Sequence, residues 1–203
     1  MTTATVSHVG RDLAIAREDE GFDMPVMARR VWRPMLAMGL MAVAAGVVAG
    51  IVQASTDQPL HVSQVAAWNP GVLFLGIGFL LSAVTLLLAT ILGELRDGGA
   101  SVQSALGEKA LILKRPLTGK AFPAAMMMGL MTLMATLVIG FVQAAKLDTD
   151  PAGAADIGAW VGPLRFAGLA LLFTGISLAL VTIVSALRFQ ASRIRQIADE
   201  RSA

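Results

Sequence analysis

Residues 35–54 read MLAMGLMAVAAGVVAGIVQA, and residues 125–144 read AMMMGLMTLMATLVIGFVQA. The two stretches align without a gap at a shift of 90. Met38-Gly39-Leu40-Met41 falls on Met128-Gly129-Leu130-Met131, Gly50 on Gly140, and Val52-Gln53-Ala54 on Val142-Gln143-Ala144. Each stretch has the roughly 20 apolar residues that a helix needs to cross the hydrocarbon core of a bilayer. A second apolar run follows each one, now at a shift of 92. Trp68 falls on Trp160, Phe74 on Phe166, Gly76 on Gly168, Thr90-Ile91 on Thr182-Ile183, and Arg96 on Arg188. Residues 35–92 therefore recur, with changes, at 125–184.

Four membrane-length runs result. Met35–Val52 has no polar side chain, and Val72–Leu92 is interrupted only by Ser82, Thr85 and Thr90. Ala121–Ala145 contains Thr132, Thr136 and Gln143, and Phe166–Leu187 contains Thr174, Ser177, Thr182 and Ser185. Hydroxyls within a helix can bond to a preceding carbonyl of the same helix and need no other partner. A soluble helix of this length normally carries a charged face. The chain is 56% hydrophobic and 15% charged, against roughly a quarter charged in ordinary soluble domains. The sequence predicts an all-α integral membrane protein whose four transmembrane helices form two tandem, parallel two-helix repeats.

Lys and Arg favour the cytoplasmic side of a membrane. Of the 16 such residues, fourteen lie before the first run, between the second and third, or after the fourth. Only Lys146 and Arg165 lie in the other two connections, beside Asp57, Asp148, Asp150 and Asp156. Both termini are expected in the cytoplasm, N-in and C-in. The expected division is a cytoplasmic tail at 1–33, a first repeat at 34–93 with an outer hairpin at 55–71, and a cytoplasmic loop at 94–120. A second repeat follows at 121–187 with an outer hairpin at 146–165, and a cytoplasmic helix or tail closes the chain at 188–203. Short amphipathic helices are expected over 12–17 and 101–113, and Ile194 and Ile197 are expected on one side of the last helix. The first apolar run begins at Met35 and exceeds a signal-peptide core, so it is expected to stay in the membrane as an anchor. A prokaryotic inner or plasma membrane is the expected location.

An even number of spans in each copy makes the copies parallel, with a pseudo-two-fold axis along the membrane normal. Short hairpins make the helices of each copy antiparallel neighbours, and a compact four-helix bundle is the simplest outcome. Ala42, Gly46, Gly50 and Ala54 form a small-residue row at four-residue spacing, matched by Thr132, Thr136, Gly140 and Ala144. Such rows let helix backbones approach closely in a bilayer, so both are candidate packing interfaces. Trp32, Trp68 and Trp160 are candidate anchors at the membrane–water boundary.

Chemistry is sparse. Cysteine is absent, as is tyrosine, and the two histidines, His8 and His61, lie outside the apolar runs. Disulfides, thiolate ligands and a bis-histidine haem are excluded. The chain has no phosphate-binding loop, no HExxH and no GxSxG. No carboxylate, the usual mark of a proton-coupled carrier, lies within a span. Glu94 at the end of the second run reads as an interfacial charge. No catalytic residue, cofactor or metal site is assigned, and no enzymatic activity is expected. The candidate polar contacts are Gln53 and Gln143, which are free to bond to each other, to another subunit or to water. Arg165 is the third, breaking the repeat where the first copy has Leu73; it is free to snorkel to the outer headgroups or to pair with Asp156 or a partner's acid. Met35, Met38 and Met41 on the first run, and Met126, Met127, Met128, Met131 and Met134 on the third, suit packing better than Cu(I).

The expected function is a non-catalytic integral-membrane subunit that scaffolds or stabilises a larger membrane complex. Its expected partners are other integral membrane subunits and, at the cytoplasmic basic residues, anionic lipid headgroups. Nucleic acid is not expected, since acids interleave with the basic residues. Two alternatives stay open. One is a small transporter or channel lined by Gln53, Gln143 and the hydroxyls of the second and fourth helices. The other is a methionine-based copper-handling protein.

Overall fold

The computed structural model describes residues 24–107, 111 and 116–202. The expected helix over 12–17, and the basic residues Lys109, Lys114 and Arg115, lie outside the described residues. Among the described residues four helices follow one another: α1 Met24–Ala54, α2 Pro59–Ala105, α3 Leu117–Lys146 and α4 Pro151–Ser202. All four are long and apolar enough to cross a membrane, so the chain has the architecture of a multi-pass membrane protein.

The connections are tighter than the expected hairpins at 55–71 and 146–165. Only residues 55–58 and 147–150 separate the helices of each pair. Pro59 and Pro151, 92 residues apart, each open a helix, at a position where the missing N–H would have no partner in any case. Pro70 and Pro163 lie farther inside. An interior proline removes one helical hydrogen bond, a loss that packed neighbours and local adjustments offset in membrane helices.

At the other end α2 also overruns its apolar stretch, continuing from Glu94 to Ala105. The helix stops where Leu106 N–H bonds back to Val102 and Gln103, and Gly107 takes a left-handed φ of 75°. That is the conformation in which glycine most readily ends a helix. Residues 101–105 are thus the last turn of α2, not the start of a separate helix. In the same way α4 runs through 188–202. Ile197 is buried there while Ile194 is exposed, so the two do not share a buried side.

Glycines set the approach of each helix pair. A Cβ on Gly39 would lie 2.8 Å from Leu80 Cδ2 and 3.0 Å from the Gly76 carbonyl, and one on Gly76 would lie 2.9 Å from Val43 N. In the other pair, a Cβ on Gly129 would lie 2.8 Å from the Gly168 carbonyl and 3.0 Å from Leu172 N. One on Gly168 would meet Leu133 Cδ2 at 2.8 Å. The residues of the second crossing are those of the first displaced by 90 in α3 and by 92 in α4.

α2 is the central element and touches all three other helices. Its Gly71 faces Leu137 of α3, and its Gly78 faces Leu133 of α3 and Leu172 of α4. Leu75 and Leu86 of α2, Phe122, Met126 and Leu133 of α3, and Leu172 and Ala179 of α4 form the buried core. Among the described residues α1 packs against α2 alone. Only 11% of its most apolar stretch is buried, against 44% for α2. The bundle is therefore lopsided: α2, α3 and α4 enclose most of the core, Ala28 of α1 joins it at one end with Trp32 and Met35 packed beside it, and the rest of α1 lies on the outside of α2.

Candidate functional site

The two small-residue rows serve different neighbours. On α1, Gly46 packs under Leu73 of α2, and Gly50 faces the Asn69 amide 3.5 Å from where its Cβ would stand. Ala42 is half-buried and Ala54 is exposed. On α3, Thr136, Gly140 and Ala144 are buried and Thr132 is half-buried. Gly140 sits against α2, where a Cβ would lie 3.0 Å from the Ala67 carbonyl and 3.2 Å from Trp68 Cα. Equivalent glycines thus meet α2 from opposite sides.

Gly140 also makes room for Arg165. The Arg165 guanidinium reaches from α4 past Gly140 and donates through Nη2 to the Ala67 carbonyl of α2 at 3.2 Å. Three helices converge at this contact. This bond takes the guanidinium toward α2, away from Asp156, one of its candidate counter-charges. Nine residues at about 100° each put Asp156 on the opposite side of the helix from Arg165. Arg165 Nε is buried with no hydrogen-bond partner. Next to this contact Trp68 stacks on Phe141, with ring centroids 5.7 Å apart and planes at 20°.

The glutamines stay within their own helix pairs. Gln53 Nε2 donates to the Val62 carbonyl at 3.2 Å, bracing α1 against the start of α2. Gln143 Nε2 lies against Gly158 of α4, 2.7 Å from where a Cβ would stand. Trp32 packs against the core, with the neighbouring Arg33 guanidinium 5.3 Å from its ring centre. Trp160 is exposed. The Lys146 ammonium lies 3.5 Å from Asp150, and Asp150 Oδ1 accepts the Gly153 N–H at 3.0 Å, capping α4. The Gly153 N–H holds the Asp150 carboxyl below the usual carboxylate range against the opposing effect of desolvation, and Lys146 adds to the lowering.

At the opposite end Arg29 of α1 pairs with Glu94 of α2 at 2.6 Å, with both side chains well exposed. Such pairs contribute about 0–1 kcal/mol. Deeper, Gln103 of α2 is fully buried. Its Oε1 accepts from Leu111 N at 2.8 Å, and its Nε2 donates to Leu111 O at 3.2 Å and to Gln190 Oε1 of α4 at 3.4 Å. Thr182 donates to Leu178 O, and its oxygen lies 3.0 Å from Thr118 Oγ1 of α3. A pocket here, lined by Leu92, Arg96, Pro116, Thr182, Ala186, Phe189 and Gln190, encloses about 20 Å³, room for one water molecule.

Sequence reasoning missed Gln103, Gln190 and Asn69. Asn69 is 7% exposed and its Oδ1 has no hydrogen-bond partner. Its one visible signal is that the position 92 residues on is Val161.

Of the hydroxyls considered for a transport path, Ser82, Thr85 and Thr182 are buried and the others lie nearer the surface. Thr85 and Thr90 donate to carbonyls four residues back in α2, as Thr174, Ser177 and Ser185 do in α4, where Thr174 and Ser177 face outward and Ser185 is half-buried. Ser82 is fully buried with its Oγ unpartnered. Met38, Met41, Met128 and Met131 also face outward, on two helices, α1 and α3, that do not touch. Among the described residues, no cluster of three or more His, Asp or Glu side chains is placed to hold a metal. Comparison with family models, with curated proteins and with solved structures finds no match.

Proposed function

We propose that the chain is a non-catalytic integral-membrane subunit, a tandem duplication of a two-helix unit, that stabilises a larger membrane assembly. The observation that carries this reading is the exposed apolar surface of α1. Its spanning stretch rests on one neighbour, and Leu40, Met41, Val48 and Ile51 all face outward. Apolar side chains facing lipid gain nothing from further burial as such, so association here rests on close packing.

The duplication reading is supported by the two glycine crossings, displaced by 90 on one helix and by 92 on the other, and by the helix starts at Pro59 and Pro151, displaced by 92. The orientation reading places both termini in the cytoplasm, with Trp68 and Trp160 at the outer boundary. From Trp68 to Glu94 along α2 is roughly 39 Å, and from Trp160 to Arg188 along α4 roughly 42 Å, at about 1.5 Å per residue. Both lengths fit a bilayer of about 40–45 Å including its headgroups. The last turns of α2 and α4 then stand in the cytoplasm, where the exposed Arg195 meets anionic headgroups or a partner's acids.

Deletion of the gene followed by quantitative membrane proteomics tests the role. One or a few specific membrane proteins are expected to fall several-fold in abundance, and to recover when the chain is restored. A deletion that leaves every other membrane protein at its normal level contradicts the proposal.

A further inference from the structure

The contact between α2 and α3 joins the two halves of the chain, and it has no counterpart between α4 and α1. Gly140 and Phe141 of α3 meet Ala67 and Trp68 of α2, and Leu137 meets Gly71. The corresponding residues on α4 are Ala159, Trp160 and Pro163, and on α1 they are Val47, Gly50 and Ile51. A two-fold relation between the halves would bring these two sets together. Among the described residues α1 and α4 do not touch. Trp160 and Val47 are each 51% exposed and Ile51 is 64% exposed, while Ala159 and Pro163 are exposed as well.

A relation that carries the first unit onto the second without closing leaves one free face at each end. The same relation applied again puts another unit on α4. This is a heterologous interface, which generates rings or open chains of copies.

We propose that a second copy of this chain seats its α1 on the α4 of the first, repeating between copies the contact that α3 makes with α2 within one. The proposal rests on the duplication reading above. The two free faces complement each other. Ile51 takes the place of Phe141 against Trp160, and Gly50 the place of Gly140 against Ala159. Where α4 carries the bulkier Pro163 in place of Gly71, α1 carries the smaller Val47 in place of Leu137, so the added volume on one face is removed from the other. An added Cβ on Gly50 would meet Asn69 Nδ2 of its own α2 at 3.5 Å, and among the described residues no second helix lies against it. Phe166 touches Phe74 on one side and is otherwise exposed, leaving it free to meet Phe74 of the next copy.

The chain has no cysteine, so cross-linking can be directed at will. Full-length protein carrying both Ile51→Cys and Trp160→Cys is treated in its membrane with a short bismaleimide and run on a denaturing gel. A ladder of dimers and higher multimers is expected, and each single variant is expected to stay monomeric. The pair Trp68→Cys with Phe141→Cys is expected to link internally, giving a monomer heavier by one reagent molecule by mass spectrometry, with no dimer. Dimers from a single variant would mean a symmetric interface and overturn the proposal. An internally linked Ile51/Trp160 monomer would place α1 on α4 of its own chain, overturning the proposal while keeping the duplication. No link at Ile51/Trp160 beside an intact Trp68/Phe141 link would mean lipid or another protein covers these faces, again overturning it while leaving the subunit reading in place. Failure of the Trp68/Phe141 link would remove the α2–α3 contact and the proposal with it. As a check free of substitutions at the interface, the chain fused to a fluorophore and reconstituted in dilute liposomes should bleach in two or more steps. Single-step bleaching throughout overturns the proposal.

Discussion

Phe74 of α2 and Phe166 of α4, 92 residues apart in the chain, meet edge to face with ring centroids 5.5 Å apart and planes at 89°. The contact holds the two long helices at a common height along the bundle. Edge-to-face aromatic pairs contribute about 0.5–1.5 kcal/mol beyond the area they bury. A double-mutant cycle of Phe74→Leu and Phe166→Leu, read by unfolding in mixed micelles, is expected to show a coupling energy of that size. Strictly additive effects would mean that the two rings do not meet in the membrane.

The glycine crossings give an ordered prediction. Gly129→Ala puts a methyl group 2.8 Å from the Gly168 carbonyl, where backbone has to move, and overpacking of this kind costs about 1–3 kcal/mol. Gly162→Ala meets nothing within 4 Å, and alanine favours the helix by up to about 1 kcal/mol over glycine. Thermal denaturation should lower the midpoint for the first variant and leave it level or raise it for the second. The reverse order would contradict the α3–α4 contact.

Gln103 clamps the Leu111 backbone from both sides while its amide reaches Gln190. Gln103→Ala leaves buried polar groups without partners, a loss of about 1–3 kcal/mol. Amide exchange at Leu111 is expected to accelerate by tenfold or more in this variant, with little change at Ala67 at the far end of α2. Unchanged protection at Leu111 would show that the clamp is absent in solution.

The cap on α4 carries a pH dependence with a definite sign. Asp150 has its pKa lowered in the folded protein, first by the Gly153 N–H. A carboxylate with a depressed folded pKa stabilises the fold above its unfolded pKa, and that contribution is lost as pH falls through the folded value. The Gly153 amide resonance should therefore shift as the pH is lowered through and below the usual aspartate range, and the first turn of α4 should fray there. Asp150→Asn keeps a capping oxygen and should abolish the titration. A Gly153 resonance that titrates equally in both proteins would assign the effect elsewhere.

The proposed orientation places residues 55–58 and 147–150 outside and the α2 extension inside. Single cysteines at Asp57 and Asp148 are expected to react with an impermeant maleimide added to intact cells. A cysteine at Ser101, exposed on the last turns of α2, should react only after permeabilisation. The opposite pattern would invert the topology.

Much of the fold was legible because uninterrupted apolarity over membrane length leaves few alternatives. The helix ends were not. Backbone hydrogen bonds continue into water after apolarity stops, so α2 and α4 overrun their apolar runs on both sides. Asn69-Pro70-Gly71 looks like turn punctuation but lies within α2, where Asn69 faces the space left by Gly46 and Gly50. The close crossings were visible in Gly39 and Gly129 and in the small-residue rows. The neighbour each row would meet was not. Gly140 packs on α2, and Gly50, its counterpart, faces Asn69 from the other side. Arg165 stood out as a break in the repeat, but its partner is a backbone carbonyl, which no side-chain pattern announces.

Native mass spectrometry of the protein extracted with its lipids from the membrane in which it is made bears most directly on the proposed role. A subunit of a larger assembly is expected at masses that contain this chain together with at least one other membrane protein in fixed ratio. A preparation in which the chain flies alone, as one copy with lipid and no companion chain, would contradict both the subunit reading and the proposed contact between copies.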